Sequence, residues 1–355
     1  MVKRLSRESR LAIDTESNSL HAYREQVCLI QFSIPNSDFL VDPLAITDLS
    51  TLDVLFSDQR IEKTFHAAEY DLICLNRDYK FKVNHIFDTM QAARILGYPA
   101  VGLNNLLIEK FGINLDKRFQ KADWAKRPLP ADQLNYARMD THYLLALRDS
   151  LHKELLTKDL WELACEDFYR ISNMIGTSEE DSESWQRING AIRLNSQQLA
   201  VFNELLRWRK HQAERMNRPV FKVVGDKLLV SVAESTPKKM DDLMGLNFTT
   251  RQSDLFGKEI MACVKRGLKA PPIKRKKLPR PNQALLKRMD TLRKWRKEVA
   301  VQIGVESDVI LPRAYMQTIA EQNPKSIHDL RELLPYSPWR LNRYGRQILA
   351  SLTDL

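Results

Sequence analysis

The amino-acid sequence predicts an α/β domain followed by two small all-helical domains. Strand patterns precede helix patterns in the first 150 residues, a helical pattern occurs twice in the C-terminal half, and two polar segments separate these regions. A chain of 355 residues is long enough for two or three domains. We predict domains at 1–172, 191–270 and 282–355, joined by an acidic linker at 173–190 and a basic, proline-rich linker at 271–281.

Short strands and longer helices alternate in the first domain. Runs rich in β-branched and aromatic residues predict strands at 10–13, 27–34, 39–41 and 61–65. Pro35-Asn36-Ser37 predicts a hairpin between the second and third of these. Helical periodicity predicts helices at 68–79, 88–96, 103–111 and 131–153. Together these elements indicate a mixed α/β fold with some antiparallel pairing.

An internal repeat with an offset of 87 residues occupies the C-terminal half. It relates the pairs Trp208-Arg209 and Trp295-Arg296, Pro237 and Pro324, and Leu243 and Leu330. Such a constant offset indicates two copies of one helical module. Each copy is predicted to contain a helix, a short loop, a helix, a proline-led helix and a final helix. We expect the tryptophans to anchor each core rather than to stack on bases.

Positive charge is confined to the C-terminal half. The chain has a net charge of +10, but residues 1–150 hold 19 basic and 20 acidic side chains, whereas residues 194–355 hold 31 and 16. This asymmetry favours a polyanionic partner such as nucleic acid, with a generic basic surface as the alternative. The residues indicate no oligomeric state.

Composition excludes several classes of protein. No apolar run approaches the roughly 18 residues that a membrane span needs, and no signal-peptide core follows the basic start. The four cysteines lie far apart without a CxxC pair, which argues against a disulfide framework or a zinc site. We therefore expect a cytoplasmic protein with no membrane partner.

Five residues of the first domain predict a metal-dependent site. Asp14 and Glu16 are two positions apart at the end of a strand and point to the same side. Asp71 begins a helix, and Tyr136 and Asp140 lie one turn apart on another helix. Taken singly, these residues also fit a solvated strand end and a partly buried tyrosine with an unrelated aspartate. Together they meet the needs of two divalent cations, Mg²⁺ or Mn²⁺, in phosphoryl transfer.

The chain resembles the DEDD 3′–5′ exonucleases and, within them, the ribonuclease D group. The motifs are IDTE at 13–16, HAAEYDL at 66–72 and YARMD at 136–140, and the helical repeats resemble HRDC domains. The resemblance implies a ribonuclease H-like mixed sheet. It also implies metal ligands at Asp14, Glu16, Asp71 and Asp140 and a water-orienting role for Tyr136, which identifies the tyrosine branch of the family.

One departure concerns the start of the chain. Only 13 residues precede Asp14, whereas relatives usually carry a strand and a helix there. We expect that either this first element is absent or the start codon is assigned too far downstream, and its absence would leave a sheet edge or a helix-packing surface without its cover.

The resemblance further implies the substrate, which is structured RNA with a 3′ extension, such as transfer-RNA precursors. The expected products are nucleoside 5′-monophosphates. His66, Lys117, Lys121 and Arg127 are candidate substrate contacts, with a solvated surface as the alternative for the three basic side chains. For His66, a hydrogen-bonded turn residue is expected rather than a metal ligand, since hard cations prefer oxygen.

Two other functions fit the same residues. A DNA 3′–5′ exonuclease would use the same carboxylates, and no residue pattern here reads a 2′-hydroxyl group. A non-catalytic RNA-binding scaffold would keep the basic C-terminal half, but the complete set of four carboxylates and a tyrosine disfavours it.

Overall fold

The computed structural model of the protein describes residues 1–173, 185–275 and 282–353. These residues form two compact units. The first contains 1–17, 27–173 and 282–353, and the second contains 18–26 and 185–275. The acidic segment 176–184 and residues 276–281 of the basic segment, both predicted as linkers, lie outside the described residues.

A five-stranded mixed sheet lies in the first unit, and it confirms the predicted α/β class. Its strands are β1 (Arg10–Ser17), β2 (Val27–Ile34), β3 (Ser37–Val41), β4 (Glu62–Phe65) and β5 (Ile86–Asp88). The order across the sheet is β3-β2-β1-β4-β5. β2 is antiparallel to β1 and β3, whereas β4 is parallel to β1 and β5. The central strand β1 is therefore hydrogen-bonded on both sides.

The strand predictions differ from the structure by one or two residues at the starts of β3 and β4, and by more at β1 and β5. β1 extends four residues beyond its predicted end, because Asp14 to Ser17 continue the antiparallel pairing with β2. β5 was not predicted, since three residues are too few to show a strand period. The predicted hairpin is present: Ser37 pairs with Ile34, and Asn36 takes a left-handed φ of 63°.

Eight helices accompany the sheet over residues 1–173 of the described chain. They are α1 (Val2–Leu5), α2 (Asp53–Ser57), α3 (Glu69–Tyr79), α4 (Thr89–Leu96), α5 (Leu103–Phe111), α6 (Ala131–His142), α7 (Leu144–Thr157) and α8 (Trp161–Ser172). The prediction of a single helix at 131–153 is wrong, because the helix is interrupted at Tyr143, between α6 and α7. α6 packs on β1, β2 and β3, whereas α7 packs on α4, β1 and β4. Because of this interruption, two consecutive helices with one continuous sequence periodicity pack on different parts of the domain.

Alternation along β1 separates the core from the site. Leu11 and Ile13 are fully buried in the hydrophobic core of the first unit. Asp14 and Glu16, at even positions, are only half-buried. Because side chains alternate across a strand, the same strand both anchors the core and presents two carboxylates on the opposite face.

Two helical modules correspond to the predicted repeat. The first module comprises α9 (Ser196–Arg215), α10 (Val220–Val223), α11 (Asp226–Ser235), α12 (Met240–Met244) and α13 (Thr250–Lys269). The second comprises α14 (Gln283–Ile303), α15 (Ser307–Ile310), α16 (Arg313–Gln322), α17 (Ile327–Leu333) and α18 (Pro338–Thr353). The five helices of each module occur in the same order.

The repeated tryptophans belong to the cores, as predicted. Trp208 is buried and donates its indole N–H to Glu259 at 2.6 Å. Trp295 packs against the core of the second module and donates to Gln347 at 3.2 Å. Each ring thus contributes apolar contact area while its polar atom finds a partner on the last helix of its module.

The loop predicted after the first helix of each module is a one-turn helix instead, α10 or α15. The arginine next to each tryptophan accounts for this turn. Arg209 donates to the carbonyl of Val224 at 3.0 Å, and Arg296 donates to that of Leu311 at 2.8 Å. Because these carbonyls come directly after α10 and α15, the arginines satisfy acceptors that the helix ends leave unpaired.

A buried arginine joins the second module to the α/β part of the first unit. Arg340 is 1% exposed and contacts Glu166 at 2.8 Å and Asp167 at 2.9 Å. The same guanidinium donates to the carbonyls of Val309 and Ile310. Two buried carboxylates and two carbonyls therefore share one desolvated cation, which is the arrangement that a buried charge requires.

A second contact between the same parts is steric as well as ionic. Arg94 of α4 pairs with Glu306 at 2.6 Å and with Asp308 at 2.7 Å. Gly97, which ends α4 with a left-handed φ of 83°, lies so near Gly304 that a Cβ atom would come within 2.6 Å of the Gly304 carbonyl oxygen. A larger residue would therefore force the two parts apart.

Two further expectations concern membranes and cysteines. Across the described residues, no helix combines the length and apolar character that crossing a bilayer requires. No disulfide joins the four cysteines, all of which lie among the described residues, and of the four only Cys165 is exposed.

We predict that Arg340→Ala lowers the free energy of unfolding by about 3–5 kcal/mol, because it leaves Glu166 and Asp167 buried without their cation. Urea-induced unfolding followed by circular dichroism measures the change. Arg346→Ala, at an exposed position of the same helix, is the matched control and should change stability by no more than about 0.5 kcal/mol. Equal effects of the two substitutions would contradict the role of the buried pairs.

Candidate active site and metal centre

Three carboxylates from two elements meet beside the central strand. Asp14 and Glu16 come from β1, and Asp140 comes from α6, which packs on β1. One ligand oxygen from each of the three lies within 4.8 Å of the others. All three side chains are half-buried. The predicted convergence of these residues is therefore present, although they are separated by up to 126 positions in the chain.

Asp71 reaches the same place by a different contact. It lies in the first turn of α3, and its Oδ1 accepts hydrogen bonds from the Thr15 backbone N–H at 3.1 Å and hydroxyl at 2.5 Å. Thr15 lies between Asp14 and Glu16, so Asp71 is tied to the strand that carries them. Asp71 is outside the group of three defined by the 4.8 Å distance, but its charge acts on Asp14.

Burial disfavours the ionised state of all four groups, and repulsion among them adds to this effect at Asp14 and Glu16. Burial raises the pKa of Asp14 well above its usual range, and repulsion from the other three carboxylates raises it further. Burial also raises the pKa of Glu16, followed by repulsion from Asp140 and Asp71. For Asp71 and Asp140, burial raises the pKa to about 7. A cation among these groups would offset both effects.

The donor set decides which cation fits. Every candidate ligand is a carboxylate oxygen, and hard divalent ions such as Mg²⁺ and Mn²⁺ prefer oxygen ligands. Soft thiolate ligands are absent from the group of three carboxylates. The residues therefore fit hard divalent cations.

Tyr136 is held against Asp140 by packing. The two residues lie one turn apart on α6, and the Tyr136 hydroxyl lies near enough to the Asp140 carboxylate to lower its pKa against the larger effect of burial. The Tyr136 ring packs between Phe119 and Trp124, with centroid distances of 5.9 and 6.0 Å. Burial, together with the nearby carboxylates, raises the pKa of Tyr136, so the hydroxyl keeps its proton.

An open cleft of about 560 Å³ contains all five predicted active-site residues. Of the four candidate substrate contacts, His66 and Lys117 line the cleft, whereas Lys121 and Arg127 are not among its lining residues. Several further polar residues line the cleft that were not predicted as site residues, and of these only Tyr70 lies within one of the three motifs, HAAEYDL. They are Tyr70, Asn104, Asn105, Asp116 and Gln120.

The guanidinium of Arg127 is hydrogen-bonded to oxygens of the protein. Its guanidinium forms two hydrogen bonds of 2.7 Å with Asp42 and one of 2.8 Å with the Cys28 carbonyl. It also donates to the carbonyls of Trp124 and Lys126. These bonds tie the segment around Trp124 to β2 and to the residue that follows β3.

His66 is a hydrogen-bonded turn residue, as its position predicted. Its Nδ1 lies 2.9 Å from the Thr89 hydroxyl, and burial lowers the pKa of the ring to about 4. Asp88 caps the following helix by accepting from the backbone N–H groups of Met90 and Gln91. Asp88 also accepts from the N–H groups of Ala67 and Ala68, so it fixes the turn after His66.

Comparisons with known families agree with this geometry. Residues 1–156 match the family model for a 3′–5′ exonuclease, and residues 198–264 and 285–352 each match the HRDC domain. Exosome complex component 10 of Rattus norvegicus is 34% identical over 239 residues, which cover 64% of this chain. This chain spans only 27% of the length of that relative.

Bacterial relatives match over a larger share of their length. Ribonuclease D of Desulfotalea psychrophila is 30% identical over 261 residues, which cover 73% of this chain and 70% of the relative. The crystal structure of Escherichia coli RNase D, described as an exoribonuclease involved in structured RNA processing, superposes with a TM-score of 0.71 and 25% identity, over 99% of this chain and 95% of that one. Because the match to ribonuclease D covers more than two thirds of both chains, this chain belongs to the ribonuclease D family of 3′–5′ exonucleases and carries two HRDC domains.

Proposed function

We propose that the protein is a 3′–5′ exoribonuclease of the cytoplasm that shortens structured RNA, such as transfer-RNA precursors, by hydrolysis that requires two divalent metal ions. The products would be nucleoside 5′-monophosphates. The observation that supports this most directly is the meeting of Asp14, Glu16 and Asp140 oxygens beside Tyr136 in one open cleft. The similarity to E. coli RNase D, an exoribonuclease involved in structured RNA processing, supports RNA as the substrate.

The four carboxylates are proposed to hold the cations. Asp14, Glu16 and Asp140 supply oxygens close enough for shared ligation, and Asp71 stands beside Asp14. When bound, two such ions would activate a water molecule and stabilise the leaving 3′ oxygen of an in-line displacement. The protein contributes the fixed geometry: β1 is paired on both sides, and Thr15 restrains Asp71.

Tyr136 is proposed to orient the attacking water. Its hydroxyl keeps its proton, because burial and nearby carboxylates raise its pKa. A protonated phenol cannot take a proton from water, so its role is to hold the water by hydrogen bonding rather than to act as a base. Packing between Phe119 and Trp124 holds the hydroxyl in place.

Positive charge is proposed to hold the RNA backbone. Residues 194–355 carry 31 basic against 16 acidic side chains, and such a surface binds phosphates without reading sequence. Within the cleft, Lys117 is the candidate for a phosphate contact.

We predict that the purified protein with Mg²⁺ releases mononucleotides faster from 3′-extended RNA than from single-stranded DNA. Side-by-side digestion with chromatographic detection of the products measures both rates. Faster release from DNA would contradict the RNA assignment. Release from neither would favour a non-catalytic RNA-binding scaffold.

A matched pair of variants tests the carboxylates in the same assay. Asp140→Ala should reduce cleavage by about 10³-fold, since it removes a group that stabilises charge at the reaction centre, and should leave RNA binding largely intact. Asp132→Ala, on the exposed side of the same helix, should cleave at the wild-type rate. Unchanged cleavage by Asp140→Ala would contradict the assigned role.

We predict that Tyr136→Phe slows cleavage by about 10²–10⁴-fold, the range for a group that positions or handles a proton. The phenyl ring preserves the contacts with Phe119 and Trp124, so the melting temperature should change little. Single-turnover kinetics with a 3′-labelled RNA measures the chemical step. A rate close to that of the wild type would remove Tyr136 from the reaction.

We predict that Mg²⁺ or Mn²⁺ stabilises the protein, because either ion offsets the repulsion among the carboxylates. At about 100 times its dissociation constant, the ion should raise Tm by about 5–10 °C relative to NaCl of equal ionic strength. Asp140→Asn should raise Tm in the absence of divalent ions and reduce the increment that they cause. If Asp140→Asn keeps the full increment, as the control Asp132→Asn should, the proposed site is wrong.

A further inference from the structure

The turn that carries His66 is held in a conformation that few residues adopt. Ala67 has a left-handed φ of 64°, which is costly for a residue with a Cβ atom. The buried Asp88 accepts from the N–H groups of Ala67 at 3.1 Å and Ala68 at 2.8 Å, and so maintains this conformation. Local strain of this kind collects at functional sites.

A chain of hydrogen bonds determines which nitrogen of His66 carries the proton. The Thr89 hydroxyl has one proton, which it donates to the carbonyl of Phe65 at 3.0 Å. Its contact with His66 Nδ1 at 2.9 Å therefore has the imidazole as the donor. In a neutral ring with a proton on Nδ1, Nε2 is a hydrogen-bond acceptor. Burial lowers the pKa of His66 to about 4, so the ring is neutral at physiological pH.

We infer that His66 Nε2 accepts a hydrogen bond from the ribose 2′-hydroxyl group of the nucleotide in the cleft, and so favours RNA over DNA. His66 lines the cleft together with Asp14 and Tyr136. The inference rests on the proposed function, because it names a residue that selects the sugar in that reaction.

The chemistry of the nucleotide limits which of its groups can donate a hydrogen bond to His66 Nε2. A phosphate oxygen offers only lone pairs and cannot donate to a neutral acceptor. The donors of a nucleotide are its sugar hydroxyls and the N–H groups of its base. The N–H groups differ among the four bases, whereas every ribonucleotide has the 2′-hydroxyl group, which is what lets a protein distinguish RNA from DNA. An exonuclease that removes successive nucleotides needs the feature that they share.

The test compares oligonucleotides that differ only in the sugar of their 3′-terminal nucleotide. We expect the wild type to cleave the all-ribose RNA about tenfold more efficiently, in kcat/KM, than the same RNA with a terminal 2′-deoxynucleotide, as for the loss of one neutral hydrogen bond. In His66→Ala this ratio should fall to about one. His328→Ala, at an exposed position of the second helical module, should keep the wild-type ratio.

Thr89 is a positioning residue, and two variants separate its hydroxyl from its bulk. Thr89→Val keeps the shape but removes the acceptor for Nδ1, so the ratio should fall towards one. Thr89→Ser restores the hydroxyl and should restore the ratio. Nitrogen-15 spectra of the imidazole should show an unprotonated Nε2 in the wild type and a mixture of tautomers in Thr89→Val.

Three results would overturn the inference while leaving the exonuclease proposal intact. They are equal cleavage of both termini by the wild type, an unchanged ratio in His66→Ala, and a loss of selection by His66→Ala against a terminal 3′-deoxynucleotide instead of a 2′-deoxynucleotide. A ratio that varies with the terminal base and not with its sugar would also overturn it, in favour of a base contact. Failure of the wild type to release nucleotides from any RNA would overturn the proposed function and this inference with it.

Discussion

Repulsion among four partly desolvated carboxylates is the constraint on which the architecture of the site depends. The fold opposes it with backbone pairing on both sides of β1. Neutral groups lie against the acids, since the Thr15 hydroxyl donates to Asp71 and the Tyr136 hydroxyl lowers the pKa of Asp140. Because these donors carry no charge, they fix the oxygens in place without cancelling the repulsion. The carboxylates therefore still attract a cation, and they do so at the place where a cation would stabilise charge in phosphoryl transfer.

The side chains of the site are held in place by neighbouring residues that are themselves fixed by hydrogen bonds or packing. Asp88 fixes the turn after His66 and caps α4, and Thr89, the first residue of α4, holds the imidazole. Aromatic packing does the same for Tyr136. The side chains that would meet substrate therefore stand on rigid elements, and their orientation is set by buried hydrogen bonds and packed rings rather than by solvent.

Much of the fold could be predicted from the sequence, because its elements have clear periods and boundaries. β2 and α5 lie where alternation and helical spacing predicted them. The break at Tyr143 could not be predicted, since the helical pattern continues through it and only tertiary packing separates α6 from α7. The short β5 has no period, and α10 and α15 depend on arginines that are distant in sequence.

The acidic part of the site could be predicted, because spacing within a single strand or helix determines which residues share a face. Spacing within β1 and within α6 brings Asp14 with Glu16, and Tyr136 with Asp140, onto common faces. The other residues that line the cleft could not be predicted, since Asn104 and Gln120 belong to none of the three motifs. The sequence also does not show that Arg127 is hydrogen-bonded to Asp42 and to the Cys28 carbonyl. Single basic residues in a loop do not reveal whether they face substrate or carbonyl oxygens.

The pairing of Arg340 with Glu166 and Asp167 has a consequence for biosynthesis. About 170 residues separate the two acids from their partner. At ribosomal rates of roughly 5–20 residues per second, the acids are synthesised about 10–35 s before the arginine. During that interval Glu166 lacks the arginine that it contacts in the mature protein, and Asp167 has Arg170 of its own helix, at 3.5 Å, as its cation. The buried arrangement around Arg340 therefore forms only after the last helix of the chain has been synthesised.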